Sequence, residues 1–175
     1  MNRRTLLTRI VAVFGAVAAV GISIPYIRSL FPGTPPVQHL DVGVGKLRPG
    51  ELVRVNWLGR SVLIQRRDDS QLAYLDEVDL TALADPDSEN SAQPEFARNP
   101  RRSRKNEHFV AYANCTHLGC EIEPNRQGGF DCPCHQSEFD TSGRVLKGSA
   151  ATLNLEVPDY RYAGADTIRL VNIRE

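Results

Sequence analysis

Hydrophobic positions along this chain change character three times. Ile10 to Ile27 is an uncharged run of 18 residues, about the least that crosses a ~30 Å hydrocarbon core as a helix. Pro25 lies near its far end, where a helix can terminate cheaply. The pattern predicts a short leading segment over 1–9 and one transmembrane anchor over 10–28. Phe31-Pro32-Gly33-Thr34-Pro35-Pro36 then breaks the periodicity. Such a stretch is semi-rigid with a bend at Gly, so 29–40 is read as a linker or hinge.

Beyond the linker the apolar runs become short. Leu52, Val53 and Val55, then Val62, Leu63 and Ile64, read as two strands joined through Leu58-Gly59-Arg60. Leu72, Leu75, Val78 and Leu83 recur near helical spacing, with Asp69 or Ser70 as cap and Pro86 beyond the stop. His108 to Ala113 reads as a strand, Leu153, Leu155 and Val157 alternate, and Ile168, Leu170 and Ile173 close the chain. Many short strands with frequent turns predict an all-β sandwich over 41–175, with a small subdomain over 113–150.

Charge adds little to the fold but narrows the partners. The 175 residues carry 21 basic and 21 acidic side chains, so no global field argues for nucleic acid. Asp85 to Lys105 is polar, acidic first and basic last, and reads as a solvated loop; contact with anionic lipid or an acidic partner is the minority reading. His39 and His108 read as ordinary surface or packing residues.

The chemistry is concentrated in one window. All four cysteines lie in Cys115-Thr116-His117-Leu118-Gly119-Cys120 and Cys132-Pro133-Cys134-His135, each segment also holding a histidine. Thiolate and imidazole together are a ligand set for zinc or for iron–sulfur chemistry. A zinc ribbon repeats one C-x-x-C knuckle, whereas here the loops read C-x-H-x-x-C and C-x-C-H. Spacing alone does not say which cysteine of each loop binds metal.

Both loops resemble the Rieske iron–sulfur proteins, whose motifs read C-T-H-L-G-C and C-P-C-H-x-S. Residues 115–120 and 132–137 match them. The resemblance extends to the iron–sulfur subunit of the bacterial cytochrome bc complex through Leu47-Arg48-Pro49-Gly50-Glu51, Val55 to Arg60, and Gly143 to Gly148. It implies one 2Fe–2S cluster, held by Cys115 and Cys132 on one iron and His117 and His135 on the other, with Cys120 and Cys134 in a disulfide. Two neutral imidazoles in place of two thiolates leave the oxidised cluster uncharged, which raises its potential by hundreds of millivolts.

By the same resemblance, His135 receives the hydrogen bond of quinol (ubiquinol or menaquinol) and His117 is the other exposed ligand. Leu118 covers the cluster, and Ser137 supplies a hydroxyl. Phe139 stands where many members have a tyrosine that donates to a cysteine sulfur, so a lower potential than theirs is expected. Gly148-Ser149-Ala150-Ala151 replaces a commonly proline-rich third loop.

The implied partners are a cytochrome b subunit, a c-type cytochrome subunit and membrane lipid, in a dimer of complexes. The implied place is the bacterial inner membrane with a periplasmic head. Asn2-Arg3-Arg4-Thr5-Leu6-Leu7 resembles a twin-arginine export signal, and Arg3, Arg4 and Arg9 would hold a cytoplasmic amino terminus in any case. A disulfide agrees with an oxidising compartment. The small Rieske subunit of a periplasmic oxidase such as arsenite oxidase is the alternative; a retained anchor and the phrases between Leu47 and Arg60 speak against it.

Overall fold

The computed structural model describes residues 2–31 and 38–172 and divides into two units, Met1–Pro36 and Val37–Glu175. Residues 32–37 of the 29–40 hinge reading lie outside the described residues, as does Ile173.

The first unit is one helix, α1 (Arg3–Leu30), with a mean hydropathy of 2.2 over its most apolar window and no buried residue. It is long and apolar enough to cross a membrane. Its hydroxyls bond back to the helix: Thr8 Oγ1 donates to the Arg4 carbonyl and Ser23 Oγ to the Val20 carbonyl, each over 2.8 Å. Polar atoms satisfied in this way suit a lipid setting. The helix continues to Leu30 with Pro25 inside it, because a missing amide in a spanning helix is tolerated where neighbouring groups compensate.

The second unit is built from three antiparallel three-stranded sheets. Strands β1 (His39–Gly43), β8 (Tyr160–Tyr162) and β9 (Thr167–Val171) form one, in the order β1-β9-β8. A second is β2 (Leu52–Trp57), β3 (Arg60–Arg66) and β4 (His108–Tyr112). The third, β5 (Glu123–Pro124), β6 (Phe130–Cys132) and β7 (Ser137–Phe139), is short and carries the cysteine loops. Val42, Ile168, Leu63, Phe109, Phe130 and Phe139 belong to a single buried cluster, so all three sheets share one core. The all-β expectation holds.

Local chemistry explains the connections. The β2–β3 hairpin turns through Leu58 (φ 51) and Gly59 (φ 81), the paired left-handed geometry that matches the twist of its strands. Asn56 Oδ1 accepts the Gly59 amide over 3.2 Å. In the small sheet, a side chain on Gly129 would collide with the Phe139 carbonyl, so only glycine lets β5–β6 close on β7.

Helix α2 (Asp69–Glu77) starts one residue earlier than expected, with Asp68 rather than Asp69 or Ser70 as cap. Asp68 accepts the Gln71 amide over 2.9 Å while the Gln71 side chain accepts the Asp68 amide over 3.0 Å. This reciprocal box, worth about 1 kcal/mol, outcompetes the neighbouring candidates. Leu83 is not part of the helix; it bridges Leu146 beside the third loop.

Two further expectations are corrected. The alternating Leu153, Leu155 and Val157 form no strand; Leu155 and Val157 are buried while Leu153 is exposed. Their amides go to loop carbonyls instead, Leu155 to Gly143 over 2.8 Å and Val157 to Ala92 over 3.3 Å. The 85–105 segment is not simply solvated, because Asp85, Ser91, Arg102 and Ser103 are buried.

Candidate metal centre

The first cysteine loop leaves the end of β4 and returns on itself. The Cys115 amide donates to the Cys120 carbonyl and the Gly119 amide to the Cys115 carbonyl, both over 2.8 Å. Gly119 takes a positive φ of 79 there. The second loop is the tip of the β6–β7 hairpin. Cys132 faces Ser137 across it, and the Gln136 amide donates to the Cys132 carbonyl over 3.0 Å. Gln136 pays for this tight turn with a left-handed φ of 55. A disulfide between Cys120 and Cys134 ties the two tips together, with their Cα atoms 6.5 Å apart.

That bond decides which sulfurs remain available. The sulfurs of Cys120, Cys132 and Cys134 lie within 4.8 Å of one another, a grouping that on distance alone suggests a three-thiolate zinc site. Two of the three are consumed by the disulfide. Cys115 and Cys132 are left as free, buried thiols, 3% and 1% exposed.

Burial pushes the Cys115 thiol up from its ordinary value. The His117 backbone amide and the Ser137 hydroxyl beside that sulfur pull it down, and the adjacent Cys132 thiol pushes it up. Two free thiols side by side in a dry place suit a cation core that would take the place of their protons.

The imidazoles complete the set on the opposite, wet side. His117 and His135 are exposed, and their ring centroids lie 4.8 Å apart at an interplanar angle of 85°. Leu118, beside them on the first loop, is 69% exposed. All four side chains named from the sequence as ligands therefore sit on two adjoining loops. The donor set is two thiols and two imidazoles, which fits a mixed sulfur–nitrogen iron centre and is also a set that zinc accepts, so the donor types alone do not choose between them.

Ser137 is fully buried, and its hydroxyl also accepts the Ala151 amide over 2.9 Å. It thereby links Cys115 to the third loop. Phe139 is buried, opposite Phe130 in the register of the small sheet. The sequence did not point to Thr116, whose hydroxyl donates to the Leu153 carbonyl over 2.6 Å and joins the first loop to the third. Nor did it point to Asn154, a buried residue without charge or motif.

Comparison with known proteins bears directly on this site. Residues 96–160 match the family described as Rieske [2Fe-2S] domain. The chain is 38% identical over 184 aligned positions to a ubiquinol–cytochrome c reductase iron–sulfur subunit of Allochromatium vinosum, covering 95% of this chain and 86% of that one. It is 36% identical to the corresponding subunit of Blastochloris viridis, covering 97% and 92%. A mitochondrial cytochrome b–c1 complex Rieske subunit of Solanum tuberosum is 42% identical over 127 positions, 70% of this chain and 43% of that one. With the paired loops, the free thiols and the facing imidazoles, these likenesses place the chain in the family of Rieske 2Fe–2S subunits of ubiquinol–cytochrome c reductases.

Proposed function

We propose that this chain takes single electrons from quinol and delivers them to a c-type haem within a membrane-bound cytochrome bc complex. The observation that carries the reading is the split of the donor set, with two thiols buried and two imidazoles facing solvent. Cys115 and Cys132 would hold the inner iron, and His117 and His135 the outer one. When bound, the cluster supplies one-electron redox chemistry at a potential raised by its neutral imidazole ligands.

The chain's own residues do the rest. A ring held through one nitrogen keeps its other nitrogen free to accept a hydrogen bond or a proton. Exposure puts that nitrogen of His135 where a quinol hydroxyl can reach it, so electron and proton leave quinol together. His117 offers a second such nitrogen. Leu118 presents an apolar surface for docking against a cytochrome b subunit. The Ser137 hydroxyl and the His117 amide stabilise negative charge on Cys115 sulfur, which favours the reduced state.

In this reading the amino terminus is cytoplasmic, 1–9 carries the twin-arginine signal and 10–28 anchors the chain in the inner membrane. Residues 29–40 form the hinge and 41–175 the periplasmic head, with the cluster loops in 113–150. The complex is dimeric, oxidises ubiquinol or menaquinol and contributes to proton translocation.

Purification from native membranes tests this directly. Cytochromes b and c should accompany the chain, and a quinol-site inhibitor should change the EPR line shape of the dithionite-reduced cluster. A chain that purifies without either haem, and whose spectrum ignores the inhibitor, would refute the assignment.

A further inference from the structure

The segment that the sequence presents as a solvated charged loop, 85–105, holds the stretch 154–157 that follows Gly148 to Ala151 and continues the third loop. The Asn154 side-chain amide donates to the Asp85 carbonyl over 2.7 Å and to Ser88 Oγ over 2.8 Å. The Asn154 backbone amide donates to Ser91 Oγ over 2.8 Å. Three residues on, the Val157 amide donates to the Ala92 carbonyl. Residues 150–159 belong to no strand, so they have no ladder of their own to fix them.

Arg102 is the strongest of these contacts. It is 1% exposed, and its guanidinium donates to the Leu155 carbonyl over 2.7 Å, to the Ser142 and Gly143 carbonyls over 3.1 and 3.2 Å, and to Gln93 Oε1 over 2.9 Å. One planar fork thus joins the 85–105 segment, the turn after β7 and the third loop. Burial lowers its pKa to about 10, so it stays charged at neutral pH. Its backbone is left-handed, φ 49. That conformation is unfavourable for a non-glycine residue and persists where the surroundings over-determine it.

We propose that 85–105 is a brace for the third cluster loop and that Arg102 is its positioning residue. The brace acts through Leu155 and Asn154 on Ala151, whose amide meets the Ser137 hydroxyl and through it Cys115. The inference rests on the ligand reading only for its last link, the shielding of the cluster.

The test is amide hydrogen exchange on the full-length, cluster-loaded protein in detergent, with the rate of iron loss to a chelator followed by visible absorbance. Arg102→Met should speed exchange across 150–157 by about tenfold or more, leave 167–171 unchanged, and shorten cluster lifetime by a similar factor. Arg102→Lys should give a smaller version of the same local pattern, since an ammonium cannot reach all of the carbonyls at once. Unchanged exchange in 150–157, or a uniform rise over the whole head, would overturn the brace. Should Arg102→Met fail to fold, Ser91→Ala removes only one hydroxyl. It should raise exchange at Asn154 alone, and no rise there would equally overturn the proposal. Failure of the ligand reading is separable, because it would show as missing nitrogen couplings in the EPR of the wild type, whatever the exchange pattern.

Discussion

The two halves of the metal centre face opposite environments. Cys115 and Cys132 lie under the loops at 3% and 1% exposure, whereas His117 and His135 stand in solvent with Leu118 beside them. The difference separates two requirements. Holding a cluster needs dry thiols that water and oxidants do not reach. Exchanging an electron and a proton needs a ligand that a partner can touch. Under the proposed ligand set, one site of four residues would satisfy both, its loops pinned at their tips by the disulfide and tied to the third loop through Ser137.

The largest effect should come from the buried half. Cys132→Ser should abolish the cluster altogether, read as loss of visible absorbance and of the reduced EPR signal in a head that still folds. An intact signal would mean that Cys132 is no ligand. Opening the disulfide, as Cys120→Ser with Cys134→Ser, frees two loops separated by 14 residues. The expected loss is about 3 kcal/mol on the chain-entropy estimate for a loop of that size, measured as a drop in chemical-denaturation midpoint. If stability is unchanged, the tips are held by something other than that bond.

Hydrogen bonds at the sulfur should give intermediate effects. Ser137→Ala removes a donor to Cys115, and one hydrogen bond of ~1 kcal/mol corresponds to roughly 40–50 mV for one electron, so the midpoint potential should fall by about that much in a redox titration. Phe139→Tyr is the converse and should raise it by a similar amount. No rise would show that a hydroxyl placed there, in the buried register opposite Phe130, does not reach a cysteine sulfur.

The smallest effect lies away from the cluster. Burial keeps His108 below its usual pKa, with Glu107 opposing, and its Nδ1 lies 3.1 Å from the Tyr162 hydroxyl. The folded state therefore prefers the neutral ring, while the unfolded chain takes up a proton near pH 6.5. The stability contributed by His108 should be complete above that pH and decline as pH falls below it. Comparing melting temperatures of wild type and His108→Phe between pH 7 and 5 should show a steeper decline in the wild type; parallel curves would remove His108 from the account.

The chemistry of the site was legible because its residues are rare and close in sequence. Cysteine and histidine in two short loops need no long-range information, and the hairpin from Leu52 to Arg66 announces itself by two short apolar runs on either side of Leu58-Gly59. What escaped was whatever depends on distant carbonyls. Arg102 looks like one charge in a solvated run, yet it is buried because loops 40 and 53 residues away supply its acceptors. Leu155 and Val157 alternate like a strand, but no neighbouring strand is there to pair with them. Asp68 won the cap of α2 over its neighbours because Gln71 could reciprocate. Pro25 sits inside α1, a helix long and apolar enough to cross a membrane.

The central claim is that sulfur and ring nitrogen divide the two irons between them. Pulsed EPR of the reduced full-length protein measures this directly through its nitrogen couplings. Two strongly coupled nitrogens, with one set lost in His117→Ala or His135→Ala if any cluster survives, is the expected result. A reduced cluster with no strongly coupled nitrogen would contradict it.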